Sequence, residues 1–81
     1  MTRWEFVGAC VDGQTFTIDG VDVWSHNWVR REEQTASVID PAYGRPFTFH
    51  VYEIEAGKKK VIFAAGEFSA CMWGFYIPKA D

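Results

Sequence analysis

The apolar positions of the chain are easiest to interpret between Phe47 and Phe63. β-Branched and aromatic residues fill the run from Phe47 to Ile54, which is typical of a packed strand. Glu55-Ala56-Gly57 then breaks the run, and a type I turn with its glycine in the left-handed region predicts a three-residue hairpin loop. This loop sets the register of the hairpin and places four residues on its core-facing side. They are Phe49 opposite Phe63 and Val51 opposite Val61.

Two Asp-Gly dipeptides divide the first part of the chain. Arg3–Val11 alternates as a strand does, and Asp12-Gly13 and Asp19-Gly20 both favour type I′ hairpin turns. Together they predict a three-stranded meander with a core set of Val7, Ala9, Phe16, Ile18, Val21 and Val23. The opposite face carries Trp4 and Phe6, so either the sheet curls to cover them or one side shows an aromatic surface.

The segment from Ser25 to Asp40 is compatible with two structures. We favour a strand that runs from Val21 to Arg31, turns at residues 32–34 and returns over Thr35–Ile39. β-Branched residues and serine at both ends of this segment weaken a helix. A short helix near residues 27–37 is the alternative.

The remaining segments supply loops and one more strand. Asp40–Pro46 holds two prolines and a glycine and predicts a loop, Gly66–Ser69 predicts a turn, and Ala70–Ile77 predicts a final strand. We therefore expect one all-β domain over residues 1–81, an antiparallel meander of five to seven strands curled into a small barrel or sandwich. An α+β fold with the short helix described above is the alternative.

Length and charge argue against several functional classes. A chain of 81 residues leaves little room for an enzyme cleft, although 17% aromatic residues can build a compact core. A net charge of −3 and a pI of about 5.2 give no positive field for nucleic acid. There is no apolar run of roughly 18 residues and no signal-peptide pattern, so we expect a cytoplasmic protein that does not bind membranes.

The two cysteines give little support for a metal site or a catalytic nucleophile. Cys10 and Cys71 lack the short spacing of metal-binding motifs, and we expect buried free thiols, with a disulfide as the alternative. A zinc site that adds His26 and His50, or a Cys–His nucleophile pair, has no motif behind it. We therefore expect no catalytic residue, no metal and no cofactor.

The most suggestive ligand-binding pattern is Trp24-Ser25-His26-Asn27-Trp28. Alternate residues of a strand share a face, so Trp24, His26 and Trp28 would form a platform that stacks sugars, bases or cations. The competing interpretation is that both indoles belong to the core, which is their ordinary place in a small β domain.

Two predicted turns present aromatic residues where burial is difficult. Tyr43 and Arg45 lie in the first turn and Phe68 in the second, and these residue types are enriched in protein interfaces. Alternatively, the rings fold back over the core. Lys58-Lys59-Lys60 is expected to be a solvated hairpin tip that pairs with carboxylates such as Glu53.

The sequence therefore predicts a small non-enzymatic protein-binding domain of the inhibitor, immunity-type or adaptor kind. An open edge strand would allow a homodimer or the addition of a partner's strand. The alternative function is binding of a small ligand or carbohydrate on the tryptophan platform. The candidate binding residues are Trp24, His26, Trp28, Tyr43, Arg45 and Phe68.

Overall fold

The protein is an all-β fold, as predicted. The computed structural model describes residues 3–39, 44 and 46–79, which form a five-stranded antiparallel sheet of order β1-β7-β6-β5-β4 and a two-stranded ribbon of β2 and β3. The alternative helix near residues 27–37 is wrong, because that segment belongs mainly to β4. The strands are β1 (Arg3–Val11), β2 (Thr17–Ile18), β3 (Val21–Asp22), β4 (Val29–Ile39), β5 (Pro46–Ala56), β6 (Lys59–Ser69) and β7 (Met72–Lys79).

β1 does not pair with the segment that follows it. The amide of Gln14 donates to the carbonyl of Val11 (2.9 Å), and Gly13 has φ 82, so Asp12-Gly13 forms a turn that leads away from the sheet. Asp12 instead donates its amide to the carbonyl of Cys71, and β1 pairs with β7 along its length. The predicted three-stranded meander is therefore wrong. Val7 and Ala9, which it placed in the core, are exposed.

The second Asp-Gly turn is as predicted. Asp19 and Gly20 have φ 53 and 79, the two positive values of a type I′ turn. Ile18 pairs with Val21 across it, and the amide of Val23 donates to the carbonyl of Phe16 (2.9 Å). Ile18, Val21 and Val23 are buried, which confirms this part of the predicted core.

β4 is one strand instead of two. Backbone pairing with β5 is interrupted between Arg30 and Thr35, so the polar residues 32–34 form an irregular stretch within the strand. The predicted turn at this position is therefore wrong. Residues 23–25, predicted as strand, form a 3₁₀ turn.

The central hairpin is present as predicted, but its loop differs from the predicted three-residue loop. Gly57 (φ 66) and Lys58 form a two-residue loop between paired Ala56 and Lys59. The register differs from the predicted one by three residues, and an odd slip changes which side chains share a face. All four predicted core residues are buried, but Phe63 and Val61 lie on one face of the sheet, and Phe49 and Val51 lie on the other.

The last hairpin turns later than predicted. β6 continues through Gly66 to Ser69, and Ala70 and Cys71 form the turn, with Cys71 at φ 61. Phe68 is the additional residue of a β-bulge in β6, between the paired Glu67 and Ser69. The predicted turn at Gly66–Ser69 is therefore wrong, because the glycine lies inside a strand.

Apolar residues occupy both faces of the five-stranded sheet. The segment of residues 16–28 covers the first face, where the core consists of Cys10, Ile18, Val21, Val23, Ile54, Val61, Phe63, Ala65 and Phe75. On the second face Ala36, Phe49, Val51 and Ala64 are buried, with Trp4, Ile62 and Tyr76 packed beside them. The edge strands β1 and β4 contact each other, so the sheet is curled. This curl covers the second face only in part.

Candidate functional site

Asp22 organises the segment that carries Trp24 and His26. One carboxylate oxygen accepts the amides of Phe16 (3.2 Å) and Trp24 (3.3 Å), and the other accepts the hydroxyl of Ser25 (2.7 Å). These bonds favour the charged form, and the Ser25 hydroxyl contributes most to holding the pKa of the Asp22 carboxyl below its ordinary value of 3.8. Asp22 thereby caps the 3₁₀ turn that follows it.

Trp24 and Trp28 belong to an aromatic cluster on the first face. Their ring centroids are 4.9 Å apart, and both rings pack edge-on against Trp73 and Phe75. Both indole N–H groups are bonded within the protein: Trp24 Nε1 donates to Cys10 Sγ (3.3 Å), and Trp28 Nε1 donates to the carbonyl of Val23 (2.7 Å). The two rings are half-buried, and much of their surface contacts the core.

His26 does not lie between the two indoles. The alternation expected of a strand is absent because residues 23–25 form a 3₁₀ turn, and the tryptophan rings contact each other directly. His26 instead lines an open cleft of about 390 Å³. The cleft is lined by Ser25, His26, Asn27, Val29, Glu53 and Glu55.

The cysteines are both free thiols. Cys10 is buried, as predicted, but Cys71 is exposed because it forms the turn before β7 instead of lying within a strand. Across residues 3–39, 44 and 46–79, no three His, Cys, Asp or Glu side chains are grouped as metal ligands.

The loop residues predicted as a binding surface have different outcomes. Tyr43 and Arg45 lie outside the described residues. Phe68 is described, and it lies on the bulge of β6, with 53% of its surface exposed.

Phe68 lies at one end of a group of neighbouring aromatic side chains on the second face. A Cβ placed on Gly74 would lie 3.4 Å from Cδ1 of Phe68 and 3.8 Å from Cε1 of Phe6, so both rings lie over this glycine. Phe6 contacts Tyr76, with centroids 5.3 Å apart, and the group continues from Tyr76 to Phe49 (4.8 Å) and from Phe49 to Phe47 (6.3 Å). We call this group the aromatic strip: Phe6, Phe47, Phe49, Phe68 and Tyr76.

The aromatic strip is only partly buried. Phe6 is 56% exposed and Phe47 36%, whereas Phe49 is buried and Tyr76 half-buried. With roughly 150–250 Å² for each aromatic side chain, the exposed parts of the three phenylalanines amount to about 300 Å². Apolar patches of about this size are often functional on monomeric proteins.

Phe6 and Phe47 were not among the predicted binding residues. Their exposure follows from the pairing of β1 with β7 and of β5 with β6, which no local pattern specifies. The glycines inside β6 and β7 were the available signal, because a glycine in a strand often marks a close approach of another group. Gly66 and Gly74 are opposite each other, and rings of the strip lie over both.

Comparison of the chain with protein-family models, with curated proteins and with solved structures finds no match. In the described part of the chain, no helix has the length and apolar character required to span a membrane.

Proposed function

We propose that the protein is a non-enzymatic binding domain that docks on another protein through the aromatic strip. The observation that carries this proposal is the exposure of Phe6 and Phe68, which lie side by side over Gly74 and continue into the buried ring of Phe49. Exposed rings that pack against rings of the core form a rigid apolar surface. Such a surface binds a partner with little loss of side-chain entropy.

Protein interfaces use this kind of surface. Aromatic residues are enriched in them, and a few well-packed rings supply most of the binding free energy. An inhibitor, immunity-type protein or adaptor acts through docking of this kind, without a reaction of its own. We also propose a cytoplasmic location, which is supported by the exposed free thiol of Cys71.

The proposal is tested by comparing three forms of the protein as bait in lysate of the source organism. The first is wild type, the second carries Phe6→Ser with Phe68→Ser, and the third carries Val29→Ser as a matched control. Val29 is 62% exposed and lies at the start of β4. The Val29→Ser substitution therefore removes exposed apolar surface that is not part of the aromatic strip. Circular dichroism and thermal unfolding verify that each form is folded.

We expect a specific protein that wild type and the Val29 variant retain and the double variant loses. A partner retained equally by all three forms, or the absence of any partner of wild type, contradicts the proposal. Light scattering on the same samples detects a homodimer. Such a dimer would assign the exposed surface to a second copy of the chain.

A second candidate function is favoured by the cleft beside His26. Its lining includes hydrogen-bonding groups of Ser25, His26 and Asn27, which suit a small polar ligand such as a sugar. Trp24 and Trp28 flank these residues, so a bound ligand should alter tryptophan emission. Titration with a panel of monosaccharides tests this function. A response that His26→Ala abolishes supports it, and unchanged emission with every sugar excludes sugars as the ligand.

A further inference from the structure

We infer that the partner docks on the aromatic strip with an amphipathic helix whose apolar face carries no charged residue. This deepens the function proposed above and rests on it. The surroundings of the strip lack charge, the strip offers hardly any hydrogen-bonding groups, and its exposed area is small. Together these properties define the occupant.

Uncharged residues surround the aromatic strip on the second face. Because side chains alternate along a strand, the register places every second residue of β5, β6 and β7 on this face, and β1 follows the same rule on either side of its bulge. Those nearest the strip include Ala9, Val11, Val51, Ala64, Met72 and Gly74. Among the described residues, these four strands place no Asp, Glu, Lys, Arg or His beside the rings.

The charged residue that β5 contributes to this face lies farther along the strand. It is Glu53, two positions beyond Val51, and its carboxylate already pairs with Arg31 (2.8 Å) and Lys60 (3.6 Å). A charged group of the partner that was buried on the strip would therefore lose its hydration without gaining a counter-charge. Burial of an unpaired charge is costly, so the side chains that contact the strip are apolar.

The strip also offers little to the backbone of a partner. Four of its five side chains are phenylalanines, and the hydroxyl of Tyr76 is its one polar side-chain group. An extended segment lying flat on the rings would leave backbone N–H and C=O groups without partners on the side that faces them, which is unfavourable. A helix forms these hydrogen bonds within itself and presents only side chains to the rings.

The size of the strip fits a short helix. Its exposed phenylalanine surface is about 300 Å², whereas each side of a standard protein–protein interface buries about 800 Å². The strip reaches from β1 across β7 and β6 to β5. Three spacings of about 4.8 Å make this distance about 14 Å, which is the length of a helix of roughly ten residues.

A second copy of the chain does not supply such a helix. The described part of the chain contains a 3₁₀ turn at Val23–Ser25 and no α-helix. A folded copy would also have to extend its contact far beyond the strip to reach the area of a stable interface. The occupant is therefore a helix of another protein.

The test uses a fluorescein-labelled helical peptide and measures its binding to the intact protein by fluorescence anisotropy. The peptide has about 14 residues, with leucines at positions i, i+3, i+4 and i+7 and with lysine–glutamate pairs of zero net charge on the other face. One control peptide has the same composition in an order that disperses the leucines. A second control has a proline at the centre of the polar face, which breaks the helix.

We expect the parent peptide to bind at least about tenfold more tightly than either control, because only the parent presents its leucines as one preformed face. Added salt should change the affinity of the parent less than about twofold, since no charge pair crosses the interface.

Two further peptides test the uncharged face directly. A central leucine is replaced by lysine in one and by glutamate in the other. Each replacement should weaken binding at least about tenfold, because either charge would be buried without a partner. Tighter binding of the lysine or the glutamate peptide than of the parent would overturn the inference.

Protein variants locate the bound peptide. Phe6→Ser with Phe68→Ser should weaken binding of the parent peptide about tenfold, since it removes two exposed rings of the strip. Val29→Ser removes exposed apolar surface outside the strip and should bind as wild type. Circular dichroism verifies that both variants are folded.

Each failure has a separate meaning. Equal binding of the parent and either control peptide overturns the inferred helix, as does the failure of every peptide to bind. Binding that the Phe6 and Phe68 variant retains places the peptide elsewhere and overturns the inference as well. The lysate comparison tests the docking function independently. A protein that wild type retains and the double variant loses would support docking on the strip even if every peptide failed.

Discussion

Gly66 lies in a tightly packed part of the second face of the sheet, because a Cβ at this position would overlap the ring of Phe49. We predict that Gly66→Ala lowers the free energy of unfolding by about 1–3 kcal/mol, since the buried ring must move in a closely packed site. Urea unfolding followed by tryptophan fluorescence measures the change.

Gly74→Ala is the matched control for this prediction. Gly74 is opposite Gly66 on the neighbouring strand, but a Cβ there would lie 3.4 Å from Phe68, an ordinary contact with an exposed ring. Its effect should therefore be clearly smaller. Equal losses for the two variants would show that the close approach of Phe49 is not the cause.

Asp22 should make the stability of the fold depend on pH. Its pKa is lower in the folded chain than in the unfolded chain, because Ser25 and the Phe16 amide donate to the carboxylate. The stabilisation is therefore complete above the unfolded value of 3.8 and is lost as pH falls through the lower folded value. We predict that Asp22→Asn destabilises the protein at neutral pH and that the difference from wild type shrinks in acid.

Urea unfolding of both forms at pH 7 and at about pH 2 measures this difference. The other carboxylates titrate in both forms, so the comparison isolates Asp22. A difference in the free energy of unfolding between wild type and variant that stays constant over this pH range would contradict the role assigned to the Asp22 carboxylate.

At the scale of elements, the positions of the two Asp-Gly turns were predictable from the sequence, whereas the other turns and the long-range strand pairing were not. Asp19-Gly20 formed its type I′ turn because both residues adopt positive φ, whereas Asp12-Gly13 formed a turn without a hairpin. The same dipeptide gives different results because β1 has a better partner in β7, more than fifty positions later in the sequence. No periodicity near β1 contains that information.

The central hairpin shows how a small error in a loop changes a whole face. The β-branched and aromatic residues correctly predicted both strands. The loop, however, lies at Gly57-Lys58, so the observed register differs from the predicted one by three residues. Phe49 and Phe63 therefore lie on opposite faces instead of facing each other. Since both faces are apolar, the hydrophobic pattern could not select one register.

The irregular stretch of β4 should depend on the ion pair between Arg31 and Glu53. Backbone pairing is interrupted here, and the 2.8 Å contact joins β4 to β5 across the gap. We predict that Glu53→Gln speeds amide hydrogen exchange in residues 30–35 roughly fivefold, as expected for a partly exposed pair worth about 1 kcal/mol.

Exchange in β6 and β7 should stay unchanged if the opening is local. Lys60→Gln is the control, because it removes only the longer 3.6 Å contact to the same carboxylate. Uniform acceleration over all strands would show that Glu53 acts on global stability and not on β4.

At the scale of the whole molecule, the two apolar faces of the sheet are covered differently. The segment of residues 16–28 covers the first face, and the tryptophans predicted as a platform, Trp24 and Trp28, are part of that cover. Among the described residues, the curl of the sheet covers the second face in part and leaves Phe6 and Phe68 exposed. Phe68 was predicted as a binding residue for its position in a turn. Phe6 could not be selected without knowing that β1 neighbours β7.

The reactivity of the two thiols should show that the segment of residues 16–28 covers the first face of the sheet. Cys10 lies beneath the segment of residues 16–28 and accepts the indole N–H of Trp24, whereas Cys71 is exposed. We predict that iodoacetamide modifies Cys71 in the native protein and Cys10 only after unfolding. Mass spectrometry of peptides from both states identifies the modified thiol. Equal native rates for the two cysteines would contradict the covered first face.

The central claim is that a protein partner docks on the aromatic strip. It is tested most directly by NMR chemical-shift mapping, in which isotope-labelled protein is titrated with the partner that wild type retains from lysate. The resonances of the rings of Phe6, Phe47 and Phe68 should shift most, while those of the His26 cleft stay in place. Shifts confined to Ser25, His26 and Asn27, with unchanged phenylalanine rings, would contradict the claim.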